Sequence, residues 1–175
     1  LIHVIDVSGS VNARGEAVAP LSYDPAKDVA FLEEELGQWY LGILNKSWEK
    51  LSRQAQMEKQ EPFRVIAKQM GGLGVGEDLA KELMRKHGLD QKALVHWTPE
   101  DLLQLAREFR VRTKPMIIAA NKVDVPGAKA NYDRLKTEFP HYQIVACSAE
   151  AELALREAAK HKVMEYIPGD KDFEV

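Results

Sequence analysis

Two short polar segments follow apolar runs in this sequence, and both contain groups that could bind a ligand. The polar residues are Asn121, Lys122 and Asp124 in the first segment and Ser148 and Ala149 in the second. A carboxylate such as Asp124 accepts two hydrogen bonds at once, whereas an amide side chain both donates and accepts. Whether these groups can act together depends on the elements that carry them.

Three apolar runs predict strands buried on both faces, because the runs are nearly continuous and end at polar or turn residues. They cover residues 1–7, 115–120 and 142–146. A helical pattern at 129–138 joins the second strand to the third, and a final helix is predicted at 151–163. Strand, crossover helix and strand form the βαβ unit of a parallel sheet, which meets ligands at the carboxyl ends of its strands. Both polar segments lie at such ends, so we expect them to form one site.

The middle of the chain predicts an all-helical unit. Asp24-Pro25 and Thr98-Pro99 are helix starts, each with a capping side chain followed by proline at the first helical position. The apolar spacing between and after them is helical rather than alternating. We therefore predict an α/β fold, a partial Rossmann-like parallel-sheet domain made of residues 1–44 and 109–175, with a helical insertion at residues 45–108.

Composition excludes several classes of protein. The 175 residues carry a net charge of −3, which argues against a globally cationic nucleic-acid binder. With 45% apolar and 29% charged residues, the chain is typical of a globular protein rather than a disordered one. The single cysteine cannot form an internal disulfide, and no apolar run is long enough to span a membrane. We expect a cytoplasmic protein without membrane contact.

The spacing Asn-Lys-x-Asp at 121–124, after an apolar strand, resembles the guanine-reading motif of the P-loop GTPases. Ser148-Ala149 resembles the last motif of the same superfamily. The resemblance implies that Asp124 accepts hydrogen bonds from guanine N1–H and the exocyclic amine, that Asn121 holds loops and faces N7, and that the Lys122 stem lies along the base. It also implies that a backbone N–H of the last motif contacts guanine O6 and that the Ser148 hydroxyl braces Asp124.

A simpler alternative is that the first motif only forms a polar turn before Pro126-Gly127, as Asn and Asp often do. Such a turn explains neither Lys122 nor Ser148-Ala149. Two motifs in the order of the superfamily, each after a predicted strand and with one helix between them, favour guanine-nucleotide binding.

No phosphate-binding loop of the form G-x-x-x-x-G-K-[ST] occurs in the sequence. The glycine-rich residues 71–76 have no following Lys-Ser or Lys-Thr and no preceding strand, so they predict a connector between helices. We expect the phosphate-binding, magnesium-binding and catalytic residues to lie upstream of Leu1. The chain alone is then expected not to hydrolyse GTP.

Four further segments resemble one branch of this superfamily, the archaeal YchF-related GTPases of the Obg family within the TRAFAC class. They are residues 1–10, 24–35, 48–51 and 166–170. The resemblance implies a helical insertion in the G domain and a small TGS domain after residue 175. Better-studied YchF members have a base-reading motif that ends in Glu and prefer ATP, whereas the intact motif ending in Asp124 favours GTP.

For the intact protein, the resemblance implies Mg²⁺-dependent hydrolysis of GTP to GDP and an association with ribosomes. Residues 45–70 contain six basic and three acidic side chains, a net charge of +3 that could meet rRNA phosphates. A solvated helix face explains the same charges. The alternative function is an RNA- or ribosome-binding module whose helical arm is ordered by nucleotide, without significant turnover.

Two other side chains have local explanations. Asp6 ends the first predicted strand and precedes Ser8-Gly9-Ser10, which favours a loop-bracing carboxylate over a metal ligand. Cys147 lies next to the proposed base site, but a small buried side chain explains it without a nucleophilic role.

Overall fold

The computed structural model describes residues 1–170 and 172–174, which form two compact units. One unit combines Leu1–Ala30 with Met116–Val175, and the other is Phe31–Pro115. Each unit has its own hydrophobic core, and the two cores share no residue.

The first unit contains a three-stranded parallel sheet in the order β1-β2-β3. The strands are β1 (Ile2–Asp6), β2 (Ile117–Asn121) and β3 (Gln143–Ala146). Asp6 pairs with Asn121, and Ala120 pairs with Ala146. The carboxyl ends of all three strands therefore meet at one edge, which confirms the predicted fold class.

Two crossover helices cover one face of this sheet. They are the start of α1 (Ala26–Leu44) and α6 (Ala128–Glu138). Ala26, Val29, Ala128 and Leu135 pack in one cluster with the inward strand residues Ile5, Ile118, Ala120 and Ile144. The alternate strand positions point to the other face.

The prediction that the strands are buried on both faces is wrong for this chain. Ile2 and Val4 are 74% and 62% exposed, and Ile117 and Val145 are also exposed. Both crossovers place their helices on the same face, because they advance across the sheet in the same direction. Within the described residues, no element covers the second face.

The second unit is all-helical. Apart from the remainder of α1, its helices are α2 (Trp48–Met57), α3 (Pro62–Met70), α4 (Glu77–Lys86) and α5 (Pro99–Thr113). Helix α5 begins with a capping box in which Thr98 and Asp101 satisfy each other's backbone N–H groups. Gly71–Leu73 forms a 3₁₀ turn, and Gly74 follows with φ of 84°, so the glycine-rich segment connects α3 to α4 as predicted.

The helical unit is wider than the predicted insertion, because it spans 31–115 rather than 45–108. The prediction placed α1 in the parallel-sheet domain and ended the insertion at residue 108, within α5. In the structure, both helices contribute to the helical core. Tyr40 of α1 and Phe109 of α5 are fully buried there, and the Tyr40 hydroxyl lies 2.7 Å from the Thr113 hydroxyl.

Helix α7 (Ala149–Lys160) follows β3, and after it an antiparallel bridge pairs Glu165 with Glu174. None of the described helices combines the length and the apolar composition needed to cross a membrane.

Replacing Leu105 by Ala should lower the free energy of unfolding by about 2–5 kcal/mol, since it leaves a cavity in the helical core. Leu105 is fully buried, whereas Leu153 of α7 is 59% exposed. Leu153→Ala is therefore the matched control, with the same change in helix propensity and an expected effect of about 0.5 kcal/mol or less. Urea denaturation followed by circular dichroism measures both. Equal losses would contradict the assignment of Leu105 to a packed core.

Candidate functional site

The ends of β2 and β3 bring the two predicted polar segments together. The Cys147 N–H donates to the Ala120 carbonyl at 2.9 Å, and the Val123 N–H donates to the Cys147 carbonyl at 3.3 Å. Pairing therefore continues past the end of each strand. The segment after Asn121 and the start of α7 form adjacent parts of one edge.

Asn121 connects the two segments through its side chain. Its Oδ1 accepts a hydrogen bond from the Ala149 N–H at 2.9 Å. This contact agrees with the loop-holding role that the resemblance implies. Within the described residues, the Asn121 Nδ2 makes no hydrogen bond, so its N–H groups remain available to a ligand.

Lys122 reaches from the end of β2 to the loop after β1. Its Nζ lies 3.0 Å from Asp6 Oδ2 and 2.9 Å from Ser10 Oγ. The side chain is 40% exposed, so part of its aliphatic stem is open to solvent. With φ of 64°, Lys122 has a left-handed backbone that a residue other than glycine rarely adopts.

Asp124 differs from its neighbours because its carboxylate is exposed and accepts no hydrogen bond from the described residues. It lies within a turn in which the Val125 N–H donates to the Lys122 carbonyl at 3.2 Å. Gly127 then has φ of 88°, and a β-carbon there would lie 2.7 Å from the Leu21 side chain. The polar turn expected before Pro126-Gly127 thus exists, but it leaves both Asp124 oxygens free to accept.

Ser148 caps the helix that follows β3. Its Oγ accepts from the Ala151 N–H at 3.2 Å. In this structure no hydrogen bond joins the Ser148 hydroxyl to Asp124, so the bracing of Asp124 by Ser148 stays a prediction. The Ala149 N–H, a candidate for the O6 contact, is paired with Asn121.

Asp6 is a part of the site that the sequence motifs did not reveal. Its carboxylate accepts five hydrogen bonds, from the backbone N–H and the hydroxyl of both Ser8 and Ser10 and from Lys122. Asp6 therefore braces its own loop, as expected, but it also binds Lys122. Only the register of β1 with β2 brings the two together, since 116 residues separate them in sequence.

The electrostatics of Asp6 follow from these contacts. Burial alone would raise the pKa of Asp6, but hydrogen bonds from Ser8, Lys122 and Ser10 and the charge of Lys122 lower it from 3.8 to about 2. The Asp6 carboxylate is therefore ionised throughout the neutral pH range. With five donors around it, it has little capacity left for a ligand or a metal ion.

The loop after Asp6 is fixed by backbone contacts. The Ser8 carbonyl accepts from the Leu21 N–H at 2.7 Å, and the Ser10 carbonyl accepts from the Val18 N–H at 2.9 Å. Gly9 has φ of 57°, and a β-carbon there would lie 2.2 Å from the Tyr23 carbonyl oxygen. This loop is therefore a rigid support for the Lys122 ammonium.

Cys147 and metal binding are the remaining chemical possibilities. Burial raises the pKa of the Cys147 thiol, which keeps it protonated and unsuited to nucleophilic attack. Within the described part of the chain, no three His, Cys, Asp or Glu side chains converge on a possible metal site.

Lowering the pH should remove the contribution of Asp6 to stability. The pKa of Asp6 is about 2 in the folded protein and 3.8 in an unperturbed group. Because the folded value is the lower one, the stabilisation is present above about pH 4 and is lost as the pH falls toward 2. Urea denaturation across this range should show a loss of about 2 kcal/mol in the parent that Asp6→Asn lacks. An identical pH profile for both proteins would contradict this account.

A protein-family model matches the part of the chain that forms this edge. Residues 119–175 match the family model described as Obg-like GTPase YGR210-like, G4 motif-containing domain. The matched segment includes Asn121, Lys122, Asp124, Ser148 and Ala149.

Relatives are similar over nearly the whole chain. GTP-binding protein MJ1332 of Methanocaldococcus jannaschii is 43% identical over 99% of this chain and 42% of its own length. GTP-binding protein C428.15 of Schizosaccharomyces pombe is 29% identical over 98% of this chain and 41% of its own length. The chain thus spans about two fifths of the length of each of these relatives.

A solved structure shows the same architecture. The crystal structure of a GTP binding protein from Pyrococcus horikoshii matches with a TM-score of 0.82 and 39% identity, over 96% of this chain and 48% of that one. In sequence and in fold, this chain is similar to part of the GTP-binding proteins, and its last third matches the G4 motif-containing domain of YGR210-like Obg-like GTPases.

Proposed function

We propose that this chain reads the guanine base of GTP and GDP. The observation that carries the proposal is the exposed Asp124 carboxylate, which accepts no hydrogen bond from the described residues and follows Asn121 and Lys122 at the edge where β2 and β3 end. The two Asp124 oxygens would accept from guanine N1–H and the exocyclic amine, which are adjacent donors on one side of the base.

Adenine would be rejected by the same carboxylate. It has no donor at N1, where its lone pair would face an Asp124 oxygen. The acceptor would then be desolvated without a partner, and sites that depend on such hydrogen bonds discriminate strongly against analogues that lack them.

The neighbouring side chains would complete the contacts with the base. Asn121 Nδ2, which is free, would donate to N7, while Oδ1 keeps its contact with Ala149. The partly exposed stem of Lys122 would lie along the base plane. A backbone N–H from the start of α7 would donate to O6, with Ser148 and Ala149 closing that side.

For the full-length protein, we propose Mg²⁺-dependent hydrolysis of GTP to GDP in a cytoplasmic switch associated with translation. This proposal follows from the resemblance to archaeal YchF-related proteins of the Obg family. The same resemblance implies a TGS domain beyond residue 175. No phosphate-binding loop occurs among the 175 residues, so turnover would depend on residues outside them. The chain alone would be inactive.

Asp124→Asn should weaken GDP binding by about 100-fold or more, since the variant loses an ionic acceptor pair. The same variant should gain affinity for xanthosine diphosphate, because the Asn amide donates to the oxygen that replaces the guanine amine. Calorimetric titration of the full-length protein with GDP, ADP and xanthosine diphosphate measures these preferences. Asp133→Asn removes an exposed carboxylate of α6 and is the matched control. Equal affinity of the parent for GDP and ADP would contradict guanine recognition.

A second candidate function, RNA or ribosome binding by the helical unit, is favoured by its local charge. All six basic side chains of residues 45–70 are exposed, on or next to α2 and α3. They are Lys46, Lys50, Arg53, Lys59, Arg64 and Lys68. Glu49 and Glu77 pair with Arg53 and Arg64 at 3.7 and 3.8 Å, and the other four basic side chains form no ion pair with the described residues.

Reversing two of these charges tests the second candidate. Lys50→Glu with Arg53→Glu should weaken cosedimentation with ribosomes by about tenfold or more and reduce its salt dependence, because phosphate contacts release counterions. The control reverses two charges on another exposed helix, Arg156→Glu with Lys160→Glu in α7. Equal loss in both double variants would indicate a net-charge effect and count against a helical RNA interface.

A further inference from the structure

Among the described residues, the side chain of Lys122 is held from one side only. Both hydrogen bonds of its ammonium end on the loop after β1, at Asp6 and Ser10. The parallel register places Asp6 opposite Asn121, so Lys122 is the first residue beyond the paired strands. From that position, the left-handed backbone of Lys122 directs a long, flexible side chain across the strand ends.

This arrangement orders Lys122 before any base binds. A free lysine side chain loses conformational freedom when it is fixed. Here the salt bridge with Asp6 and the hydrogen bond with Ser10 fix it in the folded protein. A flat ligand that lies on the stem therefore does not have to order it, which is the general advantage of preorganisation.

Asp6 itself has little capacity left to bind the nucleotide. Its two oxygens already accept five hydrogen bonds, and its side chain is only 15% exposed. Among the groups that Asp6 binds, Lys122 is the one that belongs to the proposed base site, so we expect an effect of Asp6 on the ligand to pass through Lys122. Of the two serines that bind this carboxylate, Ser10 also contacts Lys122, whereas the Ser8 side chain binds only Oδ1 of Asp6.

We propose that Asp6 is a positioning residue for guanine-nucleotide binding, which holds the Lys122 stem in place as one wall of the base site. The proposal rests on the proposed function of this edge. It gives the loop after β1 a direct part in nucleotide affinity, although no atom of Asp6 touches the base. A purely structural Asp6 would stabilise the loop and leave the affinity unchanged.

A double-mutant cycle separates these two roles. Asp6→Asn and Lys122→Met should each weaken GDP binding to the full-length protein by about tenfold, and the double variant should bind no more weakly than either single variant. If Asp6 acted independently of Lys122, the two losses would multiply to about 100-fold. Calorimetric titration with GDP, at a temperature where thermal unfolding shows every variant to be folded, gives the four affinities.

The two serines provide the matched pair if Asp6→Asn fails to fold. Ser10→Ala removes a hydrogen bond from both Asp6 and Lys122, and it should weaken GDP binding by several-fold. Ser8→Ala removes a hydrogen bond from Asp6 alone, so it should lower thermal stability while GDP affinity stays near that of the parent. Equal GDP affinity of both serine variants would overturn the positioning role.

The outcomes also separate this proposal from the function on which it rests. A parent protein without preference for GDP over ADP would refute guanine recognition itself. A parent that prefers GDP, with Asp6→Asn and Ser10→Ala binding GDP as tightly as the parent, would refute only the role of Asp6.

Discussion

Parallel pairing of β2 with a strand on each side is the constraint on which this structure depends. The pairing extends beyond the strands, since the Val7 N–H donates to the Asn121 carbonyl at 3.0 Å and the Cys147 N–H to the Ala120 carbonyl at 2.9 Å. A shift of one residue would turn every strand side chain to the opposite face. It would also separate Asp6 from Lys122 and Asn121 from Ala149. The buried core and the polar edge therefore specify the same register.

At that edge, saturated and free polar groups have different functions. The Asp6 carboxylate accepts five hydrogen bonds, and Asn121 accepts one through Oδ1 while its Nδ2 makes none with the described residues. The Asp124 carboxylate accepts no hydrogen bond from the described residues. The saturated groups fix backbone and side chains, so the free groups are presented in defined positions. A site whose supporting residues are already ordered spends little binding free energy on rearrangement.

Much of this fold could be predicted from local sequence signals. Apolar runs located the three strands to within two residues, and the Thr98 cap located the start of α5, because both signals involve residues close in sequence. The exposed sheet face could not be predicted, since an apolar strand does not reveal which of its sides a helix covers. The contact between Lys122 and Asp6 was missed for a related reason. The contact depends on the register of β1 with β2, which lie on either side of an insertion of about half the chain. Neither local motif contains information about that register.

The helical insertion interrupts the chain between β1 and β2. All the residues argued to contact or position the base lie in the first unit, whose core cluster is complete without any residue of 31–115. The helical unit likewise has a core of its own, built from its five helices. The residues of the proposed base site and those of the helical unit therefore depend on different cores, which the continuous helix α1 and the segment before β2 join along the chain. Substitutions on the exposed faces of the insertion therefore leave unchanged the core and the register that hold Asp6 and Lys122 together.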